Sequence, residues 1–196
     1  MRLDFTEKIR AKENFIQLYL GSSEIQSLKN FHRYPKVTQL WLDKNPIKSL
    51  CGIETLTELT ELNIDYTEVS SLEPLCNIIS LQEICADSCK IESLIHLTLL
   101  VNLRVLDVSF NQISSLEGLN NLRELVKLDV DKNKIQEVSE LNHLKGLQQL
   151  KTLVLKSDLE GQNNLICDME QYRCVIQELL PQLEFLDYAN GDFVKI

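Results

Sequence analysis

The chain has 196 residues, 44% of them hydrophobic, with only four Pro and six Gly; it is long enough to bury one core and shows no compositional break that would divide it. A net charge of -9 and an isoelectric point near 4.9 argue against direct contact with nucleic acid or an anionic membrane, which call for a basic face. A basic protein partner fits that balance instead.

Residues 1–14 carry charges throughout, with apolar Leu3, Phe5 and Ile9 among them, and read equally as a short N-terminal cap or a lead-in to the fold. They lack the apolar run of about 7 residues that a secretory leader needs. No later segment approaches the roughly 18 uncharged residues of a membrane span. The expected location is cytoplasmic or nuclear, and the six Cys (51, 76, 85, 89, 167, 174), irregularly spaced and unaccompanied by any Asn-X-Ser/Thr site, are expected as reduced thiols.

From residue 15 a repeat dominates. The pairs Leu18/Leu20, Leu40/Leu42, Leu62/Ile64, Ile84/Ala86, Leu106/Val108 and Leu128/Val130 recur every 22 residues. Three residues after each pair comes an Asn-like position (Ser23, Asn45, Thr67, Cys89, Asn111, Asn133), followed two later by an aliphatic residue. The template LxxLxLxxNxI resembles a leucine-rich repeat. Period-2 alternation in the first half of each unit predicts a short strand. Period-3 spacing in the second half, as in Ile113, Leu116, Leu119 and Leu122, predicts 3₁₀ turns, whose side chains eclipse at i and i+3.

No single unit can bury its apolar face, so seven strands over residues 15–162 are predicted to stack in parallel around a Leu/Ile column. The Asn side chains should bond the backbone of neighbouring coils, less completely at Thr67 and Cys89. The last interval, Leu128 to Leu153, is 25 residues, which lets the series Val138, Leu141, Leu144, Leu147, Leu150 run one more turn. From Asp168 the spacing becomes helical, with Met169, Tyr172, Val175, Ile176, Leu179 and Leu180 on one face; Asp168 and Gln171 suggest a capping box and Pro181 the stop. Residues 163–196 are therefore expected to cap the last repeat, within a single domain of α/β class: a solenoid with a parallel sheet on its concave face.

The 22-residue unit and the tail NNLICDMEQYRCVIQELLPQLEFLD, Asn163 to Asp187, resemble one branch of leucine-rich repeat proteins. That branch includes the regulatory subunit of protein phosphatase 1, the spliceosomal A-prime protein, acidic nuclear phosphoproteins and axonemal dynein light chain 1. Asn164, Ile166, Cys167, Tyr172, Arg173, Val175, Ile176, Leu180, Pro181, Leu183, Leu186 and Asp187 match the branch's C-terminal cap, while Leu165 stands where a Pro is usual. The resemblance implies fold strongly and function weakly, since members share architecture and bind unrelated partners.

Enzymatic chemistry has no foothold. His32, His96 and His143 fall on the convex half, several repeats apart, and cannot converge. Cys85 points out of its strand while Cys89 takes the inward Asn position, so that pair reads as packing rather than as a metal site. There is no phosphate loop, HExxH or GxSxG. No cofactor or metal is expected.

What remains is the concave face. The residues flanking the inward leucines give seven triplets, from Gln17/Tyr19/Gly21 to Thr152/Val154/Lys156, and these 21 positions hold eight acids (Asp43, Glu61, Asp65, Glu83, Asp87, Asp107, Asp129, Asp131) against two lysines. Tyr19 and Trp41 occupy equivalent places on adjacent strands and should stack, with Tyr66 and Phe110 in the next column and Trp41 the most exposed ring. Large rings flanked by charge have the composition of a binding hot spot. The expected function is a non-catalytic scaffold, monomeric on its own, whose concave face takes a basic protein. By resemblance, the first specific partner is a phosphatase catalytic subunit; the alternative is a permanent structural subunit of a spliceosomal particle or an axonemal dynein. An adhesive repeat of bacterial type would call for a secretion signal.

Overall fold

The computed structural model describes residues 16–159, 161–189 and 192–196; the N-terminal lead-in over 1–14 lies outside them. Seven three-residue strands, β1 (Gln17–Tyr19), β2 (Gln39–Trp41), β3 (Glu61–Asn63), β4 (Glu83–Cys85), β5 (Val105–Asp107), β6 (Lys127–Asp129) and β7 (Thr152–Val154), pair in parallel, each with the next. The register is the repeat itself: Leu18, Leu40, Leu62, Ile84, Leu106, Leu128 and Leu153 stand side by side across the sheet. All seven are buried, most of them completely, and each contributes about 1.5–3 kcal/mol by leaving water.

The return segments follow the period-3 reading. Short 3₁₀ turns occupy Phe31–Arg33, Ile53–Thr55, Glu73–Leu75 and Ile95–Leu97. The unit with three extra residues carries a seven-residue turn, Val138–Leu144. Two of these returns need glycine. Gly52 and Gly118 have φ of +107° and +104°, and a Cβ on either would lie 2.5 or 2.3 Å from the carbonyl oxygen of Leu28 or Leu94 in the preceding coil.

Between strand and return, every coil from the first to the sixth passes through a left-handed residue that is not glycine at the same repeat position, Ser22, Lys44, Tyr66, Ser88, Phe110 and Lys132, with φ between 51° and 56°; the first coil has a second at Glu24, φ 58°. Such a conformation costs on the order of 1–3 kcal/mol. It persists because the strained residue keeps the ladder going: the N–H groups of Ser22, Lys44, Tyr66, Ser88 and Phe110 donate to carbonyls of the next coil at 2.8–3.1 Å.

The Asn column behaves as its chemistry requires. Asn45 donates to the carbonyls of Leu20 and Leu42 and accepts from the N–H of Ile25; Asn111 and Asn133 repeat the pattern. Thr67 donates to the Ile64 carbonyl, and Cys89 meets that carbonyl and the Thr67 hydroxyl through sulfur at 3.2 Å. The ladder is thinner there. In the seventh coil the role falls to Asn164, which donates to the carbonyls of Val130 and Leu155 and accepts from the N–H of Ile135. Its signal was the Asn164-Leu165-Ile166 spacing, displaced in sequence from the 22-residue register.

The C-terminal cap departs from the sequence reading in two ways. Helix α1 runs from Tyr172 to Leu179 and starts from Gln171 in a left-handed conformation with no side-chain cap, whereas Asp168 ends a separate 3₁₀ turn, Leu165–Asp168. The capping box is therefore not formed. Beyond Pro181 the chain adds two strands to the sheet, β8 (Phe185–Ala189), parallel to β7, and β9 (Asp192–Lys195), antiparallel to β8. Tyr172, Ile176 and Leu180 of the helical face are buried as expected. Asp187 fastens the cap: its carboxylate accepts from the N–H groups of Leu155 and Lys156 and from the Tyr172 hydroxyl, with the Arg173 guanidinium at 3.7 Å. Burial raises its pKa against those donors.

Candidate functional site

Strand alternation turns the middle residue of each strand inward and its neighbours toward the concave side. The predicted residues accordingly share one face, but they divide into two groups along it.

Tyr19 and Trp41 stack at the N-terminal end, ring centroids 4.4 Å apart and planes 14° from parallel. The parallel register sets Tyr19 directly beside Trp41, and offset rings at this distance attract beyond their buried area. Tyr19 is the outer ring, 67% exposed, while Trp41 is half-buried beneath it. That reverses the expected order of exposure, since the stack itself covers the indole. Asp43 lies half-buried next to this pair, its carboxylate over Gly21.

The second group lines a hollow of about 640 Å³ in the C-terminal half, into which Asp65, Tyr66, Asp87, Asp107, Phe110, Asp129 and Asp131 all project. Glu61 and Glu83 stand outside it, in the row formed by the first strand positions, where Glu61 accepts from the Gln39 amide at 2.5 Å. The far wall of the hollow contains Lys127, which belongs to a predicted triplet, and four residues that strand periodicity could not supply: Ser157, Leu159, Tyr188 and Phe193. Tyr188 and Phe193 come from the β8–β9 hairpin, whose signal was the Asn-Gly dipeptide at 190–191 between two alternating stretches.

The carboxylates of the hollow are tied into the fold to different degrees. Asp65 accepts from the N–H of Asp87 and the Asn63 amide. Asp87 accepts from the hydroxyls of Ser88 and Ser109, and Asp107 from the N–H and hydroxyl of Ser109. Asp129 takes the N–H of Asp131 at 3.1 Å. Asp131 is only 2% exposed and is engaged by the Ser157 hydroxyl and the N–H of Lys132. It was expected on the open face; the Ser157 side chain closes over it. Lys132 donates to the Ser157 and Gly161 carbonyls and to the Asn163 side chain.

Crowding shows in the proton affinities. Burial, and then the charge of neighbouring Asp107, lift the Asp129 carboxyl from 3.8 to about 7. Burial likewise raises Asp65 and Asp87, with repulsion from other acids of the face added. The Asp87 charge raises the Tyr66 hydroxyl as well. Cys85, between these acids, is pushed up to about 12, first by burial, which leaves it an unreactive thiol. Two cations already sit over rings here: Lys44 Nζ lies 5.8 Å from the Tyr66 centroid and Lys127 Nζ 5.1 Å from that of Phe193. Among the described residues, no three His, Cys, Asp or Glu side chains are grouped to hold a metal ion, and no helix is long and apolar enough to cross a membrane.

The sheet, the Asn column and the 3₁₀ returns define the fold class: a solenoid of leucine-rich-repeat architecture. Residues 101–143 match the family described as Leucine Rich repeats (2 copies). Among solved structures, internalin C2 of Listeria monocytogenes is similar at 27% identity and a TM-score of 0.74, over 90% of this chain and 72% of that one. Internalin F of the same organism is similar at 24% identity and a TM-score of 0.70, over 91% of this chain and 48% of its own length, a likeness of fold. No curated protein matches the sequence.

Proposed function

We propose that the chain is a non-catalytic scaffold, monomeric on its own and cytoplasmic or nuclear, that holds a basic protein partner against its concave face. Regulation of a phosphatase catalytic subunit is the first specific assignment, on the resemblance of the repeat and cap. The observation that carries the reading is the hollow, where burial, and then repulsion from carboxylates on neighbouring coils, raises the proton affinity of Asp65, Asp87 and Asp129. Opposite charge brought by a partner relieves that repulsion, so the face gains on binding what it loses in isolation. The Tyr19/Trp41 stack supplies the apolar anchor at the other end.

The test is affinity capture from cell extract with mass spectrometry, comparing the wild-type chain with the charge reversal Asp43→Lys, Glu83→Lys. Asp65 and Asp87 are left alone because both serve hydrogen bonds of the fold. The expected result is loss of the captured partner with an unchanged far-UV spectrum. Equal capture by both chains would remove the concave face from consideration, and recovery of splicing or motor components alone would replace phosphatase regulation by a permanent structural role. The likeness to two bacterial proteins favours an adhesive repeat of bacterial type as the second reading, which predicts that the chain labelled in its own cells is found at their surface.

A further inference from the structure

The hollow is more than a patch of negative charge. Its sides are rings from two unrelated parts of the chain: Tyr66 and Phe110, each held out by a left-handed backbone at the end of a repeat, and Tyr188 and Phe193 from the C-terminal hairpin. The hairpin rings brace each other edge to face, centroids 5.5 Å apart. Tyr66 and Phe193 are 57% and 40% exposed, so these rings are presented to a partner rather than used up in the core. Five carboxylates and one ammonium, that of Lys127, line the same space, which leaves its charge negative. Aromatic faces attract cations through their negative quadrupole, and carboxylates behind them add direct Coulomb attraction. The chain already uses this chemistry twice, with the Lys44 ammonium set over the Tyr66 ring and that of Lys127 over the Phe193 ring.

We propose that this hollow receives the cationic end of a Lys or Arg side chain of the protein partner, with Phe110, Tyr188 and Phe193 as its walls and Asp87, Asp107 and Asp129 supplying the countercharge. The inference rests on the concave-face reading above and assigns that face its specificity-determining subsite. Lys127 then acts as an internal competitor that must yield the Phe193 ring when the partner's cation enters.

A fluorescein-labelled oligolysine peptide, titrated by anisotropy into the full chain, tests this. Asp107→Asn preserves the oxygen that accepts from Ser109, and Phe193→Leu preserves bulk but removes the ring; each is expected to weaken binding roughly tenfold. Lys127→Gln removes the competitor and is expected to tighten binding about fivefold. Acetylating the peptide should abolish binding, and an oligoarginine peptide should bind and respond to the same variants. The subsite is overturned if Asp107→Asn and Phe193→Leu weaken binding no more than Glu73→Gln, which removes one charge from the convex side. Were Asp43→Lys, Glu83→Lys to abolish peptide binding while the hollow variants left it unchanged, the concave face would stand and the subsite fall. Failure of the wild-type chain to bind either peptide would overturn the subsite, leaving capture by the extract to judge the wider face.

Discussion

Asp129→Asn should make the protein more stable at mildly alkaline pH, and the size of the gain follows from its surroundings. The side chain sits on β6 directly beside Asp107 of β5, about 4.8 Å away across the sheet. Burial and that neighbour move its carboxyl from 3.8 to about 7. The folded state therefore keeps a proton that the unfolded chain has already released between those values, so stability falls as pH rises through this window and levels off above it. The full shift corresponds to a ceiling of about 4 kcal/mol. Because the charge is shared with Asp107 and the site relaxes on ionisation, a gain of about 1–2 kcal/mol near pH 8 is the expected outcome. Asn keeps the oxygen that accepts from the Asp131 N–H, so near pH 5, where the native carboxyl is already neutral, the substitution should be nearly silent. Urea unfolding of both chains at the two pH values measures this. Asp65 and Asp87, raised in the same direction, leave the variant a smaller slope of the same sign. Wild-type stability that climbs from pH 5 to pH 8, or an Asn variant equally destabilised at both, would refute the reasoning.

Three further outcomes are expected. Gly118→Ala must relieve a left-handed φ and a 2.3 Å approach to the Leu94 carbonyl, and should lower stability by about 3 kcal/mol or more in thermal unfolding; Gly146→Ala, whose Cβ would meet nothing closer than 3.9 Å, should change it by less than about 1 kcal/mol. Restoring the Asn column with Thr67→Asn and Cys89→Asn together should add about 1–2 kcal/mol by urea titration, and a destabilised double variant would show that the middle coils cannot hold the larger network. Trp41→Ala should weaken capture of the partner by about 2 kcal/mol or more while costing only about 1 kcal/mol of stability through the lost stack; the reverse proportion would make the pair a cover for the strands and not an anchor.

Repeat length made most of the fold legible. A strict 22-residue interval fixes the parallel register, and alternation then assigns Trp41, Asp107 and Asp129 to the concave side without knowledge of any contact. The 25-residue interval likewise announced the longer turn at Val138–Leu144. What periodicity could not reach was whatever breaks it. Nothing in the pattern indicated that the Ser157 side chain would close over Asp131 or that Lys132 would donate to the Ser157 carbonyl. The rings of β8 and β9 complete the hollow from beyond the last repeat, where the cap pattern ends. Exposure of Trp41 was misjudged because alternation says which side a ring faces, but not that its neighbour will lie on top of it.

The even stacking of the strands also makes the molecule a ruler. Trp41 on β2 and Asp107 on β5 are separated by three strand steps, about 14 Å, and that distance is set by the number of coils between them rather than by any side chain along the way. A partner that engages both must carry its apolar anchor and its cation at matching separation. Removing the 22-residue unit from Glu61 to Gln82 would take Asp65 and Tyr66 from the near rim but leave the anchor and the Phe110, Tyr188 and Phe193 walls, and bring the two about 4.8 Å closer, so binding should be recovered only by a partner shortened to match. Specificity would then reside in a length as much as in the chemistry at either end.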